Sequence, residues 1–217
     1  AGHPEQAFHT FGCLKSHPKR KLAFDPAHPS VHENRFQRCD WTEFHRDAKE
    51  AIPNNVPKAR GNCVSTHCFV DANHAGDTET RRSQTGILLF CNVAPIIWFS
   101  KRQNSVEAST FGSEFTAMKN AVEMTEALRY KLRMFGAPMD GPTNVFCDNG
   151  AVVVNTTRPE STLSKKHHSI AYHRVREAVA AETVRVSKEH TSTNLADLFT
   201  KTLPSPRRED LLDSFTY

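Results

Sequence analysis

From Ser65 onward the chain changes periodicity in an order that few folds can satisfy. STHCFVDA, TGILLFCN and APIIWFSKRQ are three short apolar runs of strand length. The polar stretch GDTETRRSQ separates the first two, and a tight turn at Asn92–Ala94 separates the last two. The spacing then turns helical from about Thr110 to Phe135. Phe111, Phe115, Met118, Val122 and Leu132 recur at that spacing, and Gly136 with Pro138 ends the run. TNVFCD predicts a fourth strand, followed by the short helical run AVVVNTT. HSIAYHRVREAVAA predicts a second good helix, TVRVSKEH a fifth strand, and NLADLFTK a final short helix. This succession predicts an α/β fold: a mixed five-stranded sheet, three antiparallel strands then two parallel, flanked by helices.

The first 64 residues read differently. Histidines and prolines are frequent there, and no alternation is sustained. HPEQAFHTFGCLKSHPKR reads as a helix stopped by Pro18, LAFDP as a short strand, and WTEFHRDAKEAI as a short helix before Pro53. PNNVPKARGN is linker-like. A boundary near residue 62 follows, with a loosely structured N-terminal extension that is not expected to be stable by itself.

Composition excludes several classes. A hydrophobic fraction of 38% with 14 Phe supports a real core. No apolar stretch approaches the roughly 20 residues that span a bilayer. No charged-then-apolar leader is visible, and a chain opening on Ala1 reads as a fragment or as one part of a longer polyprotein. The cysteines form no CxxC pair, which argues against zinc. Cys68, Cys91 and Cys147 lie in apolar runs and read as buried thiols, as in a reducing intracellular compartment, cytoplasmic or nuclear. The net charge of +4 reads as ordinary solubility charge.

Four acidic residues sit where an unpaired carboxylate is awkward. Asp71 comes late in an apolar strand, where Asp is depleted, although it also suits a strand end. Glu114 is three, four and seven residues before Ala117, Met118 and Ala121, so it lies on or beside the apolar face of the long helix. Asp148 closes TNVFCD, where Asp-Asn is also ordinary turn chemistry. Asp197 falls third in a helix capped by Asn194, with Leu195, Leu198 and Phe199 fixing which way the turn faces. The predicted strand and helix order carries all four toward one edge of the sheet. Clustered carboxylates repel and resist desolvation unless a cation joins them. Four hard oxygen donors suit Mg²⁺ or Mn²⁺.

VDANHAGD, TRRSQTG, IIWFSKRQNSVEASTFGSEFTAM, FCDN, YHRVRE and NLADLFTKTL, in that order over residues 69–203, resemble the C-terminal ribonuclease H region of copia-type retrotransposon polyproteins. Residues 1–62 resemble, more loosely, the end of the preceding reverse-transcriptase region, and RREDLLDSFTY resembles the end of such a polyprotein. The implied division is 1–62, 63–203 and a tail at 204–217. Asn73, Gly150 and Ser169 depart from the family's usual residues.

The resemblance implies a ribonuclease H-like fold and cleavage of the RNA strand of RNA–DNA hybrids. Asp71, Glu114, Asp148 and Asp197 then hold two Mg²⁺ or Mn²⁺ ions. Lys101, Arg102, Gln103, Ser109 and Thr110 become candidate hybrid contacts, and Lys165, Lys166, His167 and His168 a second basic patch. His190 stands where cellular ribonucleases H carry a helpful histidine, at a different spacing. The upstream reverse-transcriptase region is the implied protein partner. A decayed module that binds hybrid without cutting it, or serves only as a structural connection, is the alternative reading.

Overall fold

The computed structural model describes Lys15, residues 17–163 and residues 168–217. Most of the helix expected over residues 3–20 lies outside the described residues, as do Lys165, Lys166 and His167. Strands β1 (Thr66–Asn73), β2 (Gln84–Cys91) and β3 (Ala94–Arg102) form an antiparallel meander. Helix α1 (Thr110–Met134) follows, then β4 (Thr143–Cys147), α2 (Gly150–Thr157), α3 (Ser169–Ala180) and β5 (Val184–Lys188). The sheet order is β3-β2-β1-β4-β5, with β4 parallel to both β1 and β5. This is the mixed sheet expected from the sequence.

Alternation along β1 explains the two-sided core. Cys68, Val70 and Ala72 join Ile87, Leu89, Val145, Phe115, Met118 and Val175 beneath α1 and α3. Phe69 faces the other way and packs with Phe90 and Phe146. That second face is closed by Leu195, Leu211 and Phe215 around Leu88 and Phe90.

Three local expectations are corrected. WTEFHRDAKEAI forms turns, not a helix. Its aromatic residues are spent on tertiary contacts: Trp41 and Phe44 lie against the Arg176 guanidinium. LAFDP contributes a single bridge, Leu22 to Thr216, rather than a strand. The stretch read as a tail forms helix α4 (Ser205–Leu212). Leu211 and Phe215 are buried by it, because the open face of β2 supplies apolar surface that the sequence alone does not reveal.

The segment before β1 is irregular yet firmly attached. Glu50 accepts from both Arg129, at 2.6 and 2.9 Å, and Arg133. Arg129 is buried on α1, so Glu50 supplies the counter-charge for an otherwise isolated guanidinium. Phe36 is buried against Phe146, flanked by Arg35 over the Phe146 ring and Arg185 over its own.

Candidate metal centre

Asp71 lies in β1, and Asp148 directly follows Cys147, whose register partner in β1 is Val70. Parallel pairing of adjacent strands therefore brings the two carboxylates to the same end of the sheet. Asn149 caps α2 by accepting from the Ala151 and Val152 amides, which turns the chain sharply just after Asp148.

Glu114 arrives from α1. Ser109 is the N-cap of that helix, its hydroxyl accepting from the Gly112 amide, so Glu114 sits in the second turn rather than the first. Helix-dipole stabilisation has faded there, yet the side chain is only 5% exposed. Asp197 comes from the 3-10 turn Leu195–Phe199, capped by Asn194, whose side chain also donates to the Val70 carbonyl at 3.1 Å. That bond ties the turn to β1 beside Asp71. Asp197 is only 1% exposed.

Ligand-capable oxygens of Asp71, Asp148 and Asp197 all lie within 4.8 Å of one another, and Glu114, Cys147 and Asp148 form a second such group. Asp148 belongs to both. Two full negative charges at that separation repel by roughly 3 kcal/mol even at an effective dielectric of ~20. At Glu114 ionisation is suppressed. Burial, reinforced by the Asp71 and Asp148 charges, pushes Glu114 up to about 9. Burial and then Asp71 raise Asp148, and burial raises Asp197. Burial also holds the Cys147 thiol well above its ordinary range.

One Glu114 oxygen, Oε2, is buried without a hydrogen-bond partner. A buried acceptor left unmade is costly, and a divalent cation coordinated among these carboxylates would satisfy it. The residues thus fit Mg²⁺ or Mn²⁺ by donor chemistry and by this orphaned atom.

Three residues at the site are absent from the sequence reading. The Thr200 hydroxyl donates to Asp71 Oδ2. Lys201 Nζ lies 2.6 Å from Asp197 Oδ1 and 3.2 Å from Asp71 Oδ1. Arg207, from α4, donates to Asp197 Oδ2 and to the Thr191 carbonyl. Lys201 was legible: it stands four residues after Asp197, one helical turn on. Arg207 was not, because its segment read as a tail. Asn73, one of the departures from the family pattern, donates to the Thr200 carbonyl at 3.1 Å and so steadies this strip.

The other candidates divide. Lys101 and Thr110 are exposed at the start of the loop and of α1. Arg102 is exposed but ion-paired with Asp77. Gln103 is buried, its amide donating to Thr85 Oγ1 and the Ser113 carbonyl at 3.0 and 2.9 Å, so it braces the loop against α1 instead of facing outward. The Ser109 hydroxyl is engaged in capping. His190 is exposed, and its Nδ1 lies 2.6 Å from Ser192 Oγ in the loop that leads to Asp197. His168 is buried, its Nε2 3.4 Å from Glu107 Oε2.

The chain is 31% identical over 144 residues to the retrovirus-related Pol polyprotein from transposon RE2 of Arabidopsis thaliana, a match covering 66% of this chain. It is 31% identical over 141 residues to the corresponding polyprotein from transposon TNT 1-94 of Nicotiana tabacum, covering 65% of this chain. In both cases the chain spans about 10% of the relative's length. No family model matches. Among solved structures, LC11-RNase H1 in complex with an RNA/DNA hybrid aligns with a TM-score of 0.50 at 12% identity, covering 63% of this chain and 94% of that one. The fold is therefore that of a ribonuclease H.

Proposed function

We propose that this chain, a homologue of the retrovirus-related Pol polyproteins of transposons, hydrolyses the RNA strand of RNA–DNA hybrids as part of such a polyprotein. The observation that carries the reading is the buried, partnerless Glu114 Oε2 beside Asp71, Asp148 and Asp197. Bound Mg²⁺ or Mn²⁺ ions would supply an activated water and neutralise charge on the leaving 3′ oxygen. The four carboxylates would hold those ions. Asp148, common to both groups of donors, links the Glu114 side to the Asp71–Asp197 side.

The chain's own residues also support a substrate surface. Lys101 sits at the end of β3 and Thr110 at the start of α1, on the stretch joining the sheet to the Glu114 helix. A phosphate backbone laid across this stretch would meet Lys101 first, and Arg102 after exchange of its Asp77 partner. Discrimination of RNA from DNA rests on the 2′-OH, read by hydroxyl or amide groups in the minor groove. The polyprotein context supports an upstream reverse-transcriptase region as the neighbour that extends this surface. LC11-RNase H1, whose structure holds a hybrid, shares the fold.

The test is incubation of the full chain with a labelled RNA–DNA hybrid and with duplex DNA, in Mg²⁺ and in Mn²⁺. Cleavage of the RNA strand alone, lost in Asp71→Asn, is the expected result. Hybrid binding without cleavage in either ion would establish the inactive-module alternative. Absence of hybrid binding would overturn the reading.

A further inference from the structure

The two sides of the acidic group are not equivalent. Both oxygens of Asp71 and both of Asp197 already have partners: Lys201 bridges Asp71 Oδ1 and Asp197 Oδ1, Thr200 holds Asp71 Oδ2, and Arg207 holds Asp197 Oδ2. On the other side, Glu114 Oε2 has none. Two protein cations thus serve one half of the site, and an orphaned acceptor marks the other.

We infer that Lys201 and Arg207 are built-in competitors for the second divalent ion. The inference rests on the metal-site reading above. An ion binding through Glu114 and Asp148 displaces no protein cation. An ion binding between Asp71 and Asp197 must displace the Lys201 ammonium from both carboxylates, and must loosen Arg207 if it is to use Asp197 Oδ2. The two ions therefore bind with unequal affinity, the weaker at the Asp71–Asp197 side. Both competitors are able to withdraw. Their side chains are 33% and 35% exposed, so each reaches solvent from where it stands. A long, flexible ammonium stem suits such an exchange. Once displaced, the two cations remain beside the site.

Arg207 gives the device a second component. It belongs to α4, which is held to the sheet by Leu211 and Phe215. The seating of the C-terminal helix thereby influences the affinity of an ion bound at Asp197. Arg207 acts through Asp197 and is a positioning residue.

The experiment is a Mn²⁺ titration of the full chain, followed by calorimetry and by the electron paramagnetic resonance of free Mn²⁺. The parent, Lys201→Met, Arg207→Ala and Glu114→Gln are compared, each with its thermal unfolding recorded in chelator and in Mn²⁺. The parent should show two classes of site. Lys201→Met should tighten the weaker class about tenfold and the stronger class less, since the Lys201 charge also reaches Glu114 and Asp148. Arg207→Ala should tighten the weaker class about threefold with the stronger class unchanged. Glu114→Gln should weaken the stronger class instead. In chelator, Lys201→Met and Arg207→Ala should melt below the parent, because Asp197 loses a counter-charge, and Mn²⁺ should restore them. Equal sites in the parent would overturn the inference, as would a weaker class that is unchanged or loosened in Lys201→Met. If Lys201→Met fails to fold, the more peripheral Arg207→Ala decides by the same criterion. A parent that binds no Mn²⁺ at all would instead sink the metal-site reading itself.

Discussion

Gly86 stands directly across the β1–β2 ladder from Asp71, and the 3-10 turn that carries Asp197 packs onto it. A Cβ at residue 86 would come within 2.6 Å of Thr200 Cγ2, 2.8 Å of the Ala196 carbonyl oxygen and 3.0 Å of Phe199 Cβ. One of these is backbone, so relief requires moving the turn. Gly86→Ala should therefore push Asp197 and Lys201 away from Asp71. The expected cost is roughly 1–3 kcal/mol of stability in urea unfolding, with the weaker Mn²⁺ class lost before the stronger. Unchanged stability and binding would show that the turn is not held by this contact.

Glu114 makes the metal-free protein pH-sensitive in a defined direction. Its folded-state value is raised to about 9 from an ordinary 4.5. The unfolded chain thus releases this proton first. The stabilisation is fully present below about 4.5, declines as the pH rises, and is gone above about 9. In chelator, melting temperature should fall across that window, and Glu114→Gln should flatten the decline. A parent and variant with parallel profiles would contradict the assignment.

Neutralising a carboxylate should separate stability from activity. Asp148→Asn should abolish hybrid cleavage yet leave the metal-free melting temperature unchanged or higher, since it removes repulsion with Asp71. Mg²⁺ at a hundredfold excess over its dissociation constant stabilises a binding protein by about 2.7 kcal/mol. The parent should gain on that order in a calorimetric scan and the variant much less.

The N-terminal segment should matter to folding. Glu50 is held down to about 2: burial alone would raise it, but hydrogen bonds from Arg129 and Arg133 outweigh that effect. Glu50→Ala leaves the buried Arg129 guanidinium with only Gly141 and Thr143 oxygens as partners. A loss of roughly 3 kcal/mol is expected in denaturant unfolding. Deleting residues 1–62 should cost more, because Phe146 also loses Phe36. Equal stability of the shortened and full chains would show that the segment is dispensable.

Lys101→Ala combined with Arg102→Ala should weaken hybrid binding and reduce its slope with salt concentration, since fewer counterions are released. Lys101→Ala alone should account for most of the change, because Arg102 must first leave Asp77. Cleavage per bound complex should change less. Fluorescence anisotropy at several salt concentrations reads out both.

Strand and helix order was written in local periodicity. Cys68, Val70 and Ala72 alternate because one face of β1 must be apolar, and the helical spacing of Phe115, Met118 and Val122 needs no tertiary information. The four carboxylates were legible only together: Asp71 and Glu114 strain the pattern of their own elements, whereas Asp148 and Asp197 suit a turn and a capped helix start and gain weight from the strand and helix order. One helix start also announced itself, with Asn194 capping where expected. Long-range pairing decided the rest. WTEFHRDAKEAI has helical composition, but Arg176 and Arg129 draw Trp41, Phe44 and Glu50 into separate contacts that outweigh a marginal local preference. Gln103 looked like a surface amide until Thr85 and Ser113 buried it. RREDLLDSFTY carried no sign that Leu211 and Phe215 would cover β2, nor that Arg207 would reach Asp197. Periodicity records which way a residue faces within its own element; only the packed sheet determines which charge stands opposite it.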